Sequence, residues 1–129
     1  MTDLYHEQLL THARKPKNYG ILEAATISHH ETNPSCGDVV DIYLKLDGER
    51  VIQAMFTGQG CAISQAATSI FIDVIPGKSV AEIVALTDAD MLALLGIHPG
   101  PMRLNCALLP LRAVVTALIK LRSEASKRY

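Results

Sequence analysis

The stretch V-V-D-I-Y-L-K-L-D-G-E-R-V-I-Q-A-M-F, residues 39 to 56, decides the fold because it carries the clearest local pattern in the chain. In its first half apolar and polar residues alternate, which is the period of a half-buried β-strand. Asp47-Gly48 is a strong signal for a two-residue hairpin turn, and residues 51 to 56 supply a returning strand. The sequence therefore predicts an antiparallel β-hairpin.

Helical patterns follow the hairpin. Residues 62 to 75 have the apolar spacing of a helix, which Pro76-Gly77 ends. Ser79 and Thr87 are good N-caps and predict two shorter helices, the second of which ends at Gly96. The helices thus come after the strands instead of alternating with them.

The last helix is predicted to run to about residue 125. Pro110 favours a start near Cys106, since proline is tolerated only in the first turn, and Asn105 is a competent cap. Upstream of the hairpin, residues 3 to 14 predict a short helix and residues 26 to 32 a short strand. We therefore expect an α+β fold, a three-stranded antiparallel sheet packed against several helices.

Composition narrows the function classes. A chain of 129 residues with 49% hydrophobic and 19% charged residues fits one globular domain, residues 1–129. Its net charge of -1 argues against nucleic acid as the main partner. No apolar run reaches the ~20 residues that span a bilayer, and the N-terminus lacks the pattern of a signal peptide. We expect a cytoplasmic protein with reduced thiols and no membrane partner.

Three cysteines stand out because none of them sits in an ordinary core context. Cys36 lies in the turn-forming stretch N-P-S-C-G-D, and the predicted hairpin register places Asp38 opposite Thr57, close to Cys61 in the chain. Cys61 directly precedes the helix that starts near Ala62, where a helix N-terminus stabilises a thiolate. The predicted start of the last helix gives the third cysteine the same placement.

A site shared by Cys36, Cys61, Cys106 and Asp38 is one interpretation of this pattern; structurally neutral cysteines are the other. Three thiolates and a carboxylate suit zinc or an iron-sulfur centre. A stable cluster normally takes four cysteines, so an oxygen ligand favours transfer over storage. The five histidines are interpreted as surface residues, with His98 the nearest further candidate.

Four segments resemble, in order, the motifs of the IscU/SufU/NifU N-terminal-domain family, which are scaffolds for iron-sulfur cluster assembly. They are H-A-R-K-P-K-N-Y-G at 12 to 20, N-P-S-C-G-D at 33 to 38, G-Q-G-C-A-I-S at 58 to 64 and M-R-L-N-C-A-L-L at 102 to 109. The resemblance covers essentially the whole chain, and the family fold agrees with the α+β prediction.

The resemblance implies a role for each site residue. Cys36, Cys61 and Cys106 would be the thiolate ligands and the candidate sulfur acceptors, and Asp38 would ligate metal and keep the cluster labile. Sulfur would come from a pyridoxal-phosphate-dependent cysteine desulfurase, and iron and electrons from further donors. A transient [2Fe-2S] cluster would then pass to apo iron-sulfur acceptor proteins. The chain would be a monomer or a weak homo-oligomer.

Two departures leave the subtype open. Asn105 stands where the IscU branch has histidine, and H-P-G-P-M-R at 98 to 103 replaces that branch's chaperone-binding L-P-P-V-K. Arg103 resembles the R-x-x-C of the SufU branch. Yet the segment between Cys61 and Cys106 is too short to contain the insertion that SufU proteins usually have there. A non-enzymatic cluster scaffold is the leading hypothesis. The alternatives are a zinc-bound, SufU-like sulfurtransferase and, with less support, a small cysteine enzyme.

Overall fold

The sheet contains the strands that the sequence predicts. The structure is a computed structural model that describes residues 11–33 and 37–127, except the side chains of residues 102 and 124–127. Its strands are β1 (Ile27–Asn33), β2 (Asp38–Asp47) and β3 (Arg50–Gln59), and they form one antiparallel sheet in the order β1-β2-β3. The weakly signalled first strand is thus confirmed.

Helices follow the sheet within the described part of the chain. They are α1 (Ala62–Val74), α2 (Val80–Val84), α3 (Asp88–Leu95) and α4 (Pro101–Lys127). Helix α4 packs against both α1 and β1. The predicted α+β architecture is confirmed. Residues 11–14 are also helical, and the rest of the helix predicted over residues 3 to 14 lies outside the described residues.

The hairpin turn lies one residue later than predicted. Asp47 stays in β2 and pairs with Arg50, so Gly48 and Glu49 form the turn. Gly48 has a φ of 60°, a conformation that glycine adopts without strain. The hairpin itself is confirmed, whereas the assignment of Asp47-Gly48 as the loop was wrong.

A β-bulge at Ile52 in β3, opposite Lys45 and Leu46 of β2, moves the register further from the predicted one. The shift lies between Lys45 and Leu46, and beyond it Asp41 is the partner of Thr57. The predicted pairing of Asp38 with Thr57 was therefore wrong. The actual register moves Asp38 along the ladder toward the end of β3, which is nearer to the helix that follows.

The core lies between one face of the sheet and the helices. Along β2 the side chains are alternately buried and half-buried, as the sequence period predicts. Ile42, Leu44 and Phe56 from the sheet meet Phe71 and Leu118 from the helices, and all five are at most 1% exposed. Burial of this apolar surface is the main favourable term in folding.

The short helices are capped as predicted. The Ser79 hydroxyl accepts the backbone N–H of Glu82 at 3.1 Å and caps α2. Thr87 caps α3 and forms a reciprocal capping box with Asp90. Gly96 ends α3 with a φ of 67°. Local chemistry of this kind can be read directly from sequence.

The last helix begins earlier than predicted. Helix α4 starts at Pro101, a residue type favoured at the first helical position, and Pro110 lies inside the helix. An internal proline costs about 3 kcal/mol because it cannot donate to the carbonyl four residues back. Leu108, Leu109 and Leu111 around it are all buried, and their packing offsets that cost. Cys106 therefore lies within the helix, and its predicted place at the helix start was wrong.

One segment of α4 has the length and composition of a membrane-spanning helix. Arg103–Ser123 has a mean hydropathy of 1.6, but 56% of this window is buried inside the protein. Ala113, Val114 and Leu118 are fully buried and belong to the core. The segment therefore behaves as the core helix of the fold.

Residues 11–20 are tied to α1 through His12. Its Nδ1 lies 2.7 Å from the Ser69 hydroxyl, which also accepts the backbone N–H of Lys17 at 2.7 Å. Because Ser69 already accepts from Lys17, its proton can be donated to a neutral His12 ring. Burial and the positive charge of Lys17 lower the pKa of His12 from its ordinary value of 6.5, against an opposing effect of Asp73.

Acidification is therefore expected to weaken this anchor. Since the folded pKa of His12 is the lower one, the unfolded chain binds more protons as the pH falls. The contribution of His12 to stability is complete above the unfolded value of 6.5 and is lost as the pH drops through the folded value. Urea unfolding between about pH 7.5 and 5 should show a larger loss of stability in the wild type than in His12→Gln. Equal losses would contradict this.

Candidate metal centre

Three of the four predicted site residues lie together in the structure. Ligand atoms of Asp38, Cys61 and Cys106 are all within 4.8 Å of one another. They come from the start of β2, the residue before α1 and the interior of α4. The fourth, Cys36, lies outside the described residues.

Asp38 is buried and only partly hydrogen-bonded. It is 1% exposed, and its Oδ1 accepts the backbone N–H of Cys61 at 3.0 Å. This bond reaches across the hairpin, so Asp38 is not an aspartate that merely caps its own turn. Its Oδ2 is buried and has no hydrogen-bond partner among the described residues. Burying such an oxygen is costly unless another group binds it.

Cys61 is the N-cap residue of α1, as the sequence predicts. Its Sγ accepts the backbone N–H of Ser64 at 3.4 Å, and its side chain is half-buried. The first N–H groups of a helix have no carbonyl partner within the helix, so they can donate to a sulfur. Cys61 is thus partly accessible, and its sulfur is held by the first turn of α1.

Cys106 lies deeper, with 1% of its surface exposed. The side-chain amide of Asn33 donates to its Sγ, with an N–S distance of 3.8 Å. Asn33 is itself 6% exposed and pairs with Asp38 across β1 and β2, so both side chains point to the same face of the sheet. Sequence reasoning gave Asn33 no role. Its place at the head of N-P-S-C-G-D, where β1 ends, was the available signal.

Gly60 allows the backbone to come close to Asp38. A Cβ at this position would lie 2.5 Å from Asp38 Oδ1, closer than real Cβ contacts, and 3.0 Å from Ser64 Oγ, which is also a tight contact. Any side chain here would displace the carboxylate or the start of α1. The glycine is therefore required by the approach of β3 to the site.

Three other residues that the sequence singled out lie outside this group. His98 is exposed, and Arg103 is exposed on α4. The Asn105 side-chain oxygen accepts from the Arg112 guanidinium at 3.1 Å on the exposed side of the helix. Among the described residues, the donor set therefore consists of two sulfurs and one carboxylate.

This donor set fits zinc or iron. Soft thiolates select zinc and iron-sulfur centres, and a carboxylate oxygen is an accepted additional ligand of both. The buried Asp38 oxygen that has no hydrogen-bond partner among the described residues supplies an independent reason, because a cation beside it would be the missing partner. The residues present thus fit a bound metal without rearrangement of the fold.

Known proteins are similar to this chain in sequence and in fold. The NifU-like N-terminal domain family matches residues 4–128. A zinc-dependent sulfurtransferase SufU from Bacillus subtilis is 30% identical over 91% of this chain and 90% of its own length. An iron-sulfur cluster assembly scaffold protein IscU from Streptococcus pyogenes is 29% identical over 92% of this chain and 84% of its own.

A solved structure agrees with both sequence matches. The crystal structure of a putative iron-sulfur cluster assembly scaffold protein for the SUF system from Fervidobacterium islandicum superposes with a TM-score of 0.75. The two chains are 30% identical, and the match covers 87% of this chain and 94% of the length of the other. The chain belongs to the NifU-like N-terminal domain family, the family of the IscU and SufU iron-sulfur cluster assembly scaffolds.

Proposed function

We propose that this chain accepts sulfur from a pyridoxal-phosphate-dependent cysteine desulfurase, builds a transient [2Fe-2S] cluster and transfers it to apo iron-sulfur proteins. Cys36, Cys61, Cys106 and Asp38 hold the cluster as cargo. One observation carries the proposal: among the described residues the buried Asp38 Oδ2 has no hydrogen-bond partner, and an oxygen of this same carboxylate lies within 4.8 Å of two cysteine sulfurs. Such an arrangement is costly in a protein that binds no cation there.

Sulfur delivery needs an accessible thiolate. The acceptor thiolate attacks the outer sulfur of the desulfurase persulfide, the S–S bond of the donor breaks, and the donor cysteine leaves as a thiolate. An electron donor then supplies the two electrons that reduce the transferred sulfur to sulfide. Of the two described cysteines, Cys61 is half-buried and Cys106 is 1% exposed, so Cys61 is the more accessible acceptor.

Release of the cluster follows from the same donor set. A carboxylate oxygen is a harder ligand than a fourth thiolate and binds iron-sulfur clusters less firmly. Asp38 also has an alternative partner, the Cys61 N–H at 3.0 Å, which stays in place when a metal leaves. The site therefore suits a cluster that is handed on.

Anaerobic assembly tests this proposal. The protein is incubated with ferrous iron, L-cysteine, a cysteine desulfurase and dithiothreitol, and then with an apo-ferredoxin. We expect visible absorption of a [2Fe-2S] cluster on the protein, followed by its appearance on the ferredoxin. A chain that forms no chromophore, or one that forms it and never transfers it, would refute the scaffold function.

A second function is supported by the similarity to the Bacillus subtilis zinc-dependent sulfurtransferase SufU. In this alternative the same residues hold zinc, which would keep the thiolates deprotonated, and the chain relays sulfur without carrying a cluster. The exposed Arg103 on α4, three residues before Cys106, is the feature of this chain that favours it. Strong stimulation of the desulfurase by the zinc-loaded protein, without iron binding, would establish this function instead.

A further inference from the structure

The sulfur of Cys106 is held by a side chain from another element. Inside an α-helix the backbone N–H groups are used by carbonyls one turn back, so they are not available to a sulfur in the helix interior. Cys61 takes its donor from the N-terminus of α1, where N–H groups are unpaired. Cys106 lies inside α4 and not at its start, and its Sγ accepts a hydrogen bond from the Asn33 side-chain amide.

Asn33 also connects the segments that surround the site. Its backbone carbonyl accepts the N–H of Gly37 at 2.9 Å, and its Cα is paired with that of Asp38. The ends of the segment that contains Cys36 in the sequence are thus joined at Asn33. Through its side chain the same residue reaches α4 and Cys106. One buried asparagine therefore pairs with Asp38 through its backbone and contacts Cys106 through its side chain.

We propose that Asn33 is a positioning residue that sets the place and the donor strength of the Cys106 sulfur. The N–H group holds the sulfur beside Asp38 and Cys61 and withdraws electron density from it. Hydrogen bonds to ligating sulfurs are a known means by which proteins tune metal centres. This inference rests on the proposed function, since it concerns a metal or cluster held by the same donors.

Cobalt(II) provides the test, because its thiolate complexes absorb through sulfur-to-metal charge transfer. Asn33→Leu keeps a similar side-chain volume and removes the N–H, whereas Asn33→Ala removes both volume and N–H. We expect both variants to bind Co²⁺ about 10- to 100-fold more weakly, the usual effect of losing a partner of a metal ligand, because the loss of positioning outweighs the stronger donation by the sulfur. Both should also move the charge-transfer band to longer wavelength, because a sulfur without the hydrogen bond gives up electron density more easily.

Asn105→Ala is the matched control. It alters an asparagine adjacent to Cys106 whose amide accepts from Arg112 on the exposed side of α4, so its band should stay at the wild-type wavelength. If Asn33 served packing alone, Asn33→Leu would behave as wild type in affinity and band position, and the inference would be overturned. A wild-type protein that gives no thiolate-to-cobalt band would overturn the metal site itself, and with it this role of Asn33.

Discussion

Replacement of Cys106 by serine is expected to weaken zinc binding by more than about 100-fold and to abolish assembly of a [2Fe-2S] cluster. Loss of a residue that only supports a metal ligand costs about 10- to 100-fold in affinity, so loss of the ligand itself should exceed that range. A serine hydroxyl does not ionise near neutral pH and lacks the soft sulfur that zinc and iron-sulfur centres select. Cys61→Ser should have the same effect, because both sulfurs belong to the group with Asp38.

Zinc affinity is measured by competition with a chromophoric chelator, and cluster formation by visible absorption after anaerobic assembly. Cys106→Ala is the control for packing, because a cysteine that is 1% exposed could also serve as a small core residue. Alanine preserves the apolar character of the position, so a purely structural Cys106 would leave zinc affinity unchanged in this variant. Wild-type affinity in Cys106→Ala would remove Cys106 from the site.

Features that depend on nearby residues could be predicted from the sequence. The alternation in residues 39 to 46 predicts β2, and Ser79 and Thr87 predict the starts of α2 and α3. The helix that begins at Ala62 is equally local, so Cys61 was correctly placed before it. In each case the responsible contacts lie within a few residues along the chain, and the residue type alone indicates them.

Features set by packing between elements could not be predicted in the same way. The bulge at Ile52 and the turn at Gly48-Glu49 have no strong local signal. Both depend on which faces of β2 and β3 meet the helices, and they decide how far Asp38 advances toward Cys61. The predicted proximity of Asp38 and Cys61 does not depend on this error, because a shifted register still joins the same ends of the two strands.

The predicted start of α4 is wrong for a physical reason that bears on the site. The prediction restricts proline to the first turn, but the buried leucines around Pro110 stabilise a helix that continues through it. Cys106 consequently cannot use a helix start to stabilise its sulfur. The Asn33 side-chain amide donates to this sulfur instead, and only the folded chain brings residues 33 and 106 together.

Asp38→Asn is expected to stabilise the metal-free protein and to remove most of the stability that metal adds. Within the described part of the chain, the wild-type carboxylate has one buried oxygen without a hydrogen-bond partner, and a neutral amide reduces that desolvation cost by about 1 kcal/mol. Its remaining oxygen can still accept the Cys61 N–H, which is 3.0 Å away in the wild type. Metal at about 1,000 times its dissociation constant would add about 4 kcal/mol to the wild type, and much less to a variant that binds weakly.

Urea unfolding with and without zinc measures both effects in one experiment. Asp41→Asn is the matched control: it makes the same change in the same strand, on a carboxylate that is 39% exposed and lies 2.8 Å from His30. Its unfolding free energy and its gain from zinc should both stay close to wild type, because an exposed contact between two polar side chains contributes little. A less stable metal-free Asp38→Asn with an undiminished gain from zinc would mean that Asp38 serves the hairpin and not the metal. A more stable metal-free Asp38→Asn with a much smaller gain from zinc is the result expected of a carboxylate that is buried in order to bind a cation.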